Sequence, residues 1–207
     1  MNGSGRSKIS FGFVALAVLL WGSFSFAQMA SSVRSMPAGP ARGADVVRIR
    51  KAPQSEKIKT PIYQTAMARQ SSGGLDWWHG IVEFDTSEEW IDELEFTYYA
   101  YVEDQSNRGA PIMFRASVTY VNIPKGRHHS DVFLHPNTVK RMGAPKQVAV
   151  IVKYKGAVVA TENTASRANW WDGYPPVDGV LLNRAMTPFS LVDYDLYPAI
   201  KPVAATR

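Results

Sequence analysis

The sequence predicts an all-β domain, a sandwich or a barrel of about seven to nine short strands with one short helical segment. Apolar and polar residues alternate over long stretches, turn-forming residues separate these stretches, and no long helical pattern alternates with them. Alternation places every second side chain on one face of a sheet, and the lack of strand–helix alternation disfavours a parallel α/β fold.

The N-terminal end has the layout of a secretory signal peptide. Arg6 and Lys8 precede a nearly continuous apolar run, and Ser25 and Ala27 are the small residues that a signal peptidase requires before its cut. We therefore predict a signal peptide over residues 1–27. The alternative is an uncleaved membrane anchor, because the apolar run approaches the ~20 residues that a spanning helix needs.

A type IV pilin leader fits this end poorly. No Glu or Asp follows Gly12 and Phe13, and Pro37, Gly39 and Pro40 would break a continuing helix.

Composition excludes several classes of protein. The chain has no cysteine, which excludes disulfides, thiolate catalysis, Cys-ligated zinc and a lipid anchor on cysteine. The net charge is +5, two of the basic residues lie in the predicted signal peptide, and the others are scattered along the chain. A nucleic-acid-binding protein would concentrate them on one element, so we expect no nucleic acid as a partner.

The sequence pattern directly after the predicted signal peptide gives only weak evidence of secondary structure. Residues 28–44 are rich in Ser, Ala, Gly and Pro and predict a flexible N-terminal segment. A single domain is predicted over 45–207, with a first strand at 45–49, a polar interval at 55–60, a possible short strand at 61–63 and a loop at 70–74.

The β pattern is strong in the middle of the chain. Alternating stretches at 94–102 and 112–121, joined by a polar turn, predict an antiparallel pair. Residues 147–154 and 157–161 around Lys155-Gly156 predict a hairpin, and 136–142 before Gly143 predicts a short helix. Between 87 and 96 we expect at most a helical turn. Further short strands are predicted at 78–84, 132–134, 180–182 and 189–192.

Two tryptophan doublets are the candidate binding residues: Trp77, Trp78, Trp170 and Trp171. On a strand, adjacent side chains point to opposite faces, so one member of each doublet is expected to face solvent. An exposed indole is a platform for a sugar ring or a partner protein. The alternative is that all four indoles cover the open ends of the sandwich.

Other constellations predict no catalytic or metal site. His128, His129, Asp131 and His135 are close in sequence, but adjacent strand residues point to opposite faces and a solvated loop is the simpler interpretation. The acidic run from 85 to 95 lacks the spacing of a calcium loop. No nucleophile or phosphate-loop motif occurs, so we expect no enzyme and no cofactor. A small hydrolase using paired carboxylates is a further alternative.

Three segments together resemble a known family: Trp90–Tyr99, Asp131–Pro136 and Val148–Val159. They are similar to small exported proteins of Verrucomicrobia, in particular the immunoglobulin-like proteins of the Akkermansia type IV pilus-like cluster. The resemblance spans roughly 81–197. It implies an immunoglobulin-like β-sandwich and a pilus- or fimbria-associated protein of the cell envelope, and it supplies no catalytic residues.

Beside the hydrolase alternative, the sequence leads to two non-enzymatic hypotheses about function. The first is a secreted, non-enzymatic protein in the periplasm or on the outer surface of a Gram-negative bacterium, acting in pilus assembly or cell adhesion. Its expected partners are envelope or pilus proteins, or further copies of the chain. The alternative is a carbohydrate-binding module that uses the tryptophan doublets to bind glycans.

Overall fold

The computed structural model describes residues 46–62 and 74–202, and all of them belong to one compact unit. The predicted signal peptide (1–27), the N-terminal segment (28–44) and most of the predicted loop at 70–74 lie outside the described residues.

The described residues form nine strands and one α-helix. In chain order these elements are β1 (Val47–Ile49), β2 (Gln54–Lys59), β3 (Asp76–Asp104), β4 (Ala110–Leu134), α1 (Pro136–Met142), β5 (Gln147–Tyr154), β6 (Ala157–Asn163), β7 (Pro176–Asp178), β8 (Leu181–Asn183) and β9 (Ala199–Ile200). Short 3-10 turns connect the C-terminal strands, at 170–173, 184–186, 188–191 and 194–196.

A long antiparallel hairpin organises the fold. β3 has 29 residues and β4 has 25, and they pair over nearly their whole lengths from the turn between Asp104 and Ala110. Their register shifts between Thr86 and Trp90, where the pairing is interrupted by a bulge. A bulge bends the strand that carries it and increases its twist. The hairpin is thereby divided into two half-sheets.

Each half-sheet is completed by different strands. In the first half-sheet, β1 and β2 pair with the start of β3, and β8 pairs with the end of β4. In the second half-sheet, β5 pairs with the end of β3 and β6 pairs with β5, while β7 pairs with the start of β4 and β9 with its middle. The hairpin is therefore shared by both half-sheets.

The two half-sheets face each other. The Tyr98 hydroxyl donates a hydrogen bond of 2.7 Å to Ser130 Oγ, although Tyr98 is the register partner of Ala116. In a straight strand, Ala116 and Ser130 would lie roughly 45 Å apart. Phe84 and Phe96, one from each half-sheet, bring their ring centroids to 4.9 Å. The predicted all-β sandwich is confirmed.

The predicted alternation of apolar and polar residues at 94–102 places every second side chain in the core. Leu94, Phe96, Tyr98, Ala100 and Val102 are fully buried between the half-sheets. Each large apolar side chain buried in this way contributes about 1.5–3 kcal/mol relative to exposure. The intervening residues lie on the opposite, outer face of the second half-sheet.

Two local predictions are confirmed in detail. Helix α1 begins after His135, whose Nδ1 accepts a hydrogen bond from the Asn137 N–H, and it ends at Gly143 with φ of 95°. In the β5–β6 hairpin, Lys155 and Gly156 both have positive φ, 50° and 79°, as a tight two-residue turn between twisted strands requires.

No helical turn forms at 87–96, where at most one was expected, because β3 continues through this segment. Near the bend, Ile91 and Leu94 are both buried while the two residues between them are exposed. This irregularity in the alternation imitates the spacing of a helix face.

Other predicted boundaries also change. The polar interval 55–60 is mostly strand β2, an edge strand whose side chains are nearly all exposed and so lack an apolar period. Pro61 and Ile62 are outside any strand, and 189–192 is mostly a 3-10 turn. The segments 112–121 and 132–134 belong to one strand, β4, and β7 pairs with β4 in parallel rather than antiparallel.

None of the helices within 46–62 and 74–202 has the length and hydropathy that a membrane span requires.

We expect the domain to unfold at alkaline pH as its core tyrosines ionise. Burial raises the pKa of Tyr98 and Tyr120 well above the ordinary value of 10.0. Above pH 10 the unfolded chain loses these protons and the folded chain keeps them, so stability falls as pH rises. Tyrosinate absorbance and circular dichroism are followed together during an alkaline titration, and the part of the absorbance change that comes from the buried tyrosines should coincide with the loss of native circular dichroism.

Tyr194→Phe is the control, because Tyr194 is exposed and its removal should leave that transition in place. Ionisation of all tyrosines while the circular dichroism stays native would contradict the prediction.

Candidate functional site

A buried ion pair lies on the outer face of the first half-sheet. Asp131 is fully buried, and its Oδ2 accepts hydrogen bonds from Arg184 Nη2 at 2.6 Å and Nε at 3.0 Å. His79 Nε2 lies 3.0 Å from the same oxygen, and His79 Nδ1 lies 2.9 Å from Glu56 Oε1. The cluster thus joins β2, β3 and β4 to the segment that follows β8. A buried charge requires such partners, because leaving it unpaired is costly.

Arg184 connects this cluster to the C-terminal segment. Its Nη1 donates hydrogen bonds of 2.7 Å to the carbonyl oxygens of Phe189 and Val192, and its guanidinium lies 3.6 Å from the centroid of the Tyr197 ring. Burial is the largest single influence and opposes the charge on Arg184, but the hydrogen bonds to Asp131, the charge of Asp131 and the contact with Tyr197 together outweigh it and raise the pKa of Arg184. One side chain therefore fixes three successive turns of this segment.

The C-terminal segment exposes apolar residues around a cavity. Leu191, Tyr194 and Leu196 are 71%, 65% and 52% exposed. Leu191 and Tyr194 line a cavity of about 330 Å³, together with Tyr197, Ile200 and other residues of the same segment. We call Leu191, Tyr194 and Leu196, with this cavity, the C-terminal surface. Clustered exposed apolar residues of this kind mark interaction sites on soluble proteins.

The first tryptophan doublet is buried on both faces of its sheet. Trp78 packs in the core between the half-sheets, while Trp77 packs on the outer face against Phe133 and Phe189. The C-terminal segment supplies Phe189 and so covers a face that sequence alternation assigns to solvent. Gly80 makes room for Trp78, because a Cβ there would lie 2.5 Å from the indole ring.

The second doublet is buried too. Trp170 and Trp171 lie in a 3-10 turn over the outer face of the second half-sheet, where they pack with Met113, Ala149 and neighbouring aromatic rings. The expectation that one indole of each doublet faces solvent is wrong, since all four are at most 6% exposed. The exposed tryptophan in the described residues is Trp90, at 63%.

A polar groove begins where the cover of the second doublet ends. Its floor consists of outer-face residues that are neighbours across β3, β4 and β5: Glu95 beside Lys153, Thr97 between Ser117 and Ile151, and Tyr99 beside Arg115. Residues 178–186 supply further lining residues, among them Asp178, Asn183 and Met186. We call this cavity, of about 450 Å³, the outer groove.

The clustered histidines do not come together. His128 Nε2 lies 2.8 Å from the Pro124 carbonyl oxygen, His135 caps α1, and Asp131 is bound to Arg184. Across 46–62 and 74–202, no group of three or more potential ligands could hold a metal ion. The acidic run is dispersed as well: Glu93 pairs with Lys201, and Glu95 pairs with Lys153.

Sequence reasoning missed the Asp131–Arg184 pair and the outer groove. The available signal for the pair was a carboxylate directly before the buried run Val132–Leu134, where burial demands a cation. Nothing in the spacing identifies Arg184 as that cation. The groove has no motif, because its residues come from three strands and a connection.

The described residues thus define an all-β protein of two layers with a covered outer face. A family model matches residues 41–204, well over half of the chain, and the chain belongs to the family that this model describes.

A crystal structure of a protein from Akkermansia muciniphila is similar to this chain, with a TM-score of 0.67 and 26% sequence identity. The match covers 76% of this chain and 94% of the other. The resemblance to a verrucomicrobial protein is thereby confirmed. No curated protein matches the chain in sequence.

Removing Arg184 should destabilise the domain strongly. Arg184→Met leaves the Asp131 carboxylate buried without its cation, which costs about 3–5 kcal/mol in comparable buried pairs. Urea unfolding followed by circular dichroism measures the change. The double variant Asp131→Leu/Arg184→Met should recover part of the loss, because no unpaired charge remains. Lys201→Gln, at an exposed pair, is the control and should change the midpoint little. A single variant as stable as the wild type would contradict this role.

Solvent quenching should report the tryptophan environments. Acrylamide should quench Trp90 strongly and the two doublets weakly, because only Trp90 is exposed among them. Trp90→Phe should remove most of the quenchable emission of the exported protein, and Trp170→Phe should not. The opposite pattern would show that the second doublet is accessible in solution.

Proposed function

We propose that this chain is a non-enzymatic, exported cell-envelope protein that acts through protein–protein contacts in a pilus- or fimbria-like assembly. The C-terminal surface is the observation that carries the proposal. Its exposed Leu191, Tyr194 and Leu196 are held by a buried ion pair rather than by their own packing. Apolar side chains that are already fixed in this way lose little conformational entropy when a partner binds.

The chemistry of the buried cluster supports a structural role for it. Asp131 has no solvent exposure, and the same oxygen that pairs with Arg184 also lies beside His79. A catalytic carboxylate must reach its substrate. The contacts of Asp131 instead hold the C-terminal segment against the sheet.

Family membership supports the proposed location in the cell envelope. The family match and the similar Akkermansia muciniphila structure agree with the resemblance to a verrucomicrobial protein that the sequence suggested. The signal-peptide pattern at 1–27 supports export to the periplasm or outer surface. The partner we propose is another envelope protein that presents an apolar surface, and a further copy of the chain is the alternative occupant.

Charge on the C-terminal surface should strongly weaken the association of this chain with filaments. We expect the chain to co-sediment with filaments sheared from cells of the organism that encodes it. Leu191→Asp/Tyr194→Asp should reduce the co-sedimenting fraction at least tenfold, because a central interface residue contributes about 2 kcal/mol or more. Ile62→Asp, at another exposed apolar residue, is the matched control and should co-sediment like the wild type.

Photo-crosslinking from positions 191 and 194 identifies the partner. Crosslinks to filament or envelope proteins support the proposal, and crosslinks to a second copy assign the surface to self-association. A chain absent from sheared filaments that crosslinks to no envelope protein would overturn it.

A further inference from the structure

The outer groove combines balanced charge, hydroxyl groups and a partly apolar floor. We propose that it binds a neutral oligosaccharide. The groove lies on the outer face of the second half-sheet, opposite the face that forms the core. The inference does not rest on the proposed assembly function. The volume of about 450 Å³ falls within the range of roughly 300–1,000 Å³ that is typical of small-ligand sites.

The charges in the groove neutralise one another in pairs. Arg115 Nε and Nη2 donate to the two carboxylate oxygens of Asp178 at 2.8 and 2.7 Å, and Lys153 Nζ lies 3.4 Å from Glu95 Oε1. Two cations and two carboxylates leave no net attraction for an anion or a cation. They still offer donors and acceptors side by side, which suits a hydroxyl group that both donates and accepts.

The Arg115–Asp178 pair holds the Arg115 guanidinium in a defined orientation. Asp178 holds the guanidinium in a two-bond fork through Nε and Nη2, and Arg115 Nη1 is outside that fork. The hydrogen bonds to Asp178 raise the pKa of Arg115, so the group stays charged. A planar, pre-oriented guanidinium beside a carboxylate loses little entropy when a ligand hydroxyl binds to both.

Hydroxyl groups extend the polar surface of the groove. Thr97 Oγ1 and Ser117 Oγ lie 3.3 Å apart at the centre of the floor. Asn183 also lines the groove. Hydroxyl groups of this kind both donate and accept, as the hydroxyl groups of a sugar do.

Apolar contacts complement the polar ones. Tyr99 stacks on Trp171, with ring centroids 6.0 Å apart, which fixes the Tyr99 ring at the end of the groove. Ile151 is half-buried in the floor, and Met186 is 64% exposed in the lining. A sugar ring has apolar C–H faces and a polar rim, so it matches a floor of this mixed character.

A peptide strand fits the groove less well. The floor is a sheet face, and β3 pairs there with β4 on one side and β5 on the other. Strand addition needs an edge with free N–H and C=O groups. The groove offers side chains instead, which favours a ligand recognised through hydroxyl groups.

The test is an NMR titration of the exported, ¹⁵N-labelled protein. The neutral probes are lactose, maltotriose and N,N′-diacetylchitobiose, and the comparison probes are a sulfated heparin disaccharide and tetra-alanine. We expect at least one neutral probe to shift the Thr97 and Ser117 amides and the Arg115 Nε–H signal saturably. Neither comparison probe should do so at the same concentration.

Two variants place the binding in the groove. Ser117→Trp should fill the floor and abolish the shifts, and Arg115→Gln should weaken binding at least tenfold. Ser55→Trp, which adds the same indole to an exposed position on β2, is the control and should bind like the wild type. Three outcomes would overturn the proposal: no neutral probe shifts these signals, a comparison probe binds the groove more tightly, or Ser117→Trp binds as well as the wild type.

Discussion

The bend in the β3–β4 hairpin is the constraint on which the rest of the structure depends. Two strands of 29 and 25 residues each carry a long apolar face that needs a second layer to bury it. The bulge between Thr86 and Trp90 allows the hairpin to fold over, so that its own two halves become the layers of the sandwich. The shorter strands are additions to a frame that this hairpin already defines.

Folding the hairpin on itself leaves two outer faces, and the rest of the chain covers them to different extents. The C-terminal segment covers the first, held by Arg184 on Asp131, and so converts a sheet face into the C-terminal surface. The second outer face is covered only in part, by Trp170 and Trp171. The outer groove occupies the uncovered remainder. Both candidate binding regions are therefore consequences of how far each outer face is covered.

The sequence was sufficient for the elements whose pattern is local. Alternation at 94–102, the Lys155-Gly156 turn and the capped helix α1 each depend on neighbouring residues, and each prediction held. The bend was misread because it interrupts the alternation on which strand prediction relies. β2 was missed because an exposed edge strand has no apolar period. The burial of the doublets and the Asp131–Arg184 pair require contacts between residues distant in the chain, such as Trp77 with Phe189, which no local pattern encodes.

The hairpin also implies an order of events when the chain folds. Pairing can start between Asp104 and Ala110, which are close in sequence, and extend residue by residue to Trp78 and Leu134, so each step closes only a small additional loop. Asp131 lies near the end of the hairpin that pairs last, and Arg184 can bind it only after that end has formed. For a chain that we propose to cross a membrane, the C-terminal segment is thus assembled last. Premature association through the proposed partner surface is limited, because that surface does not exist until the core beneath it is complete.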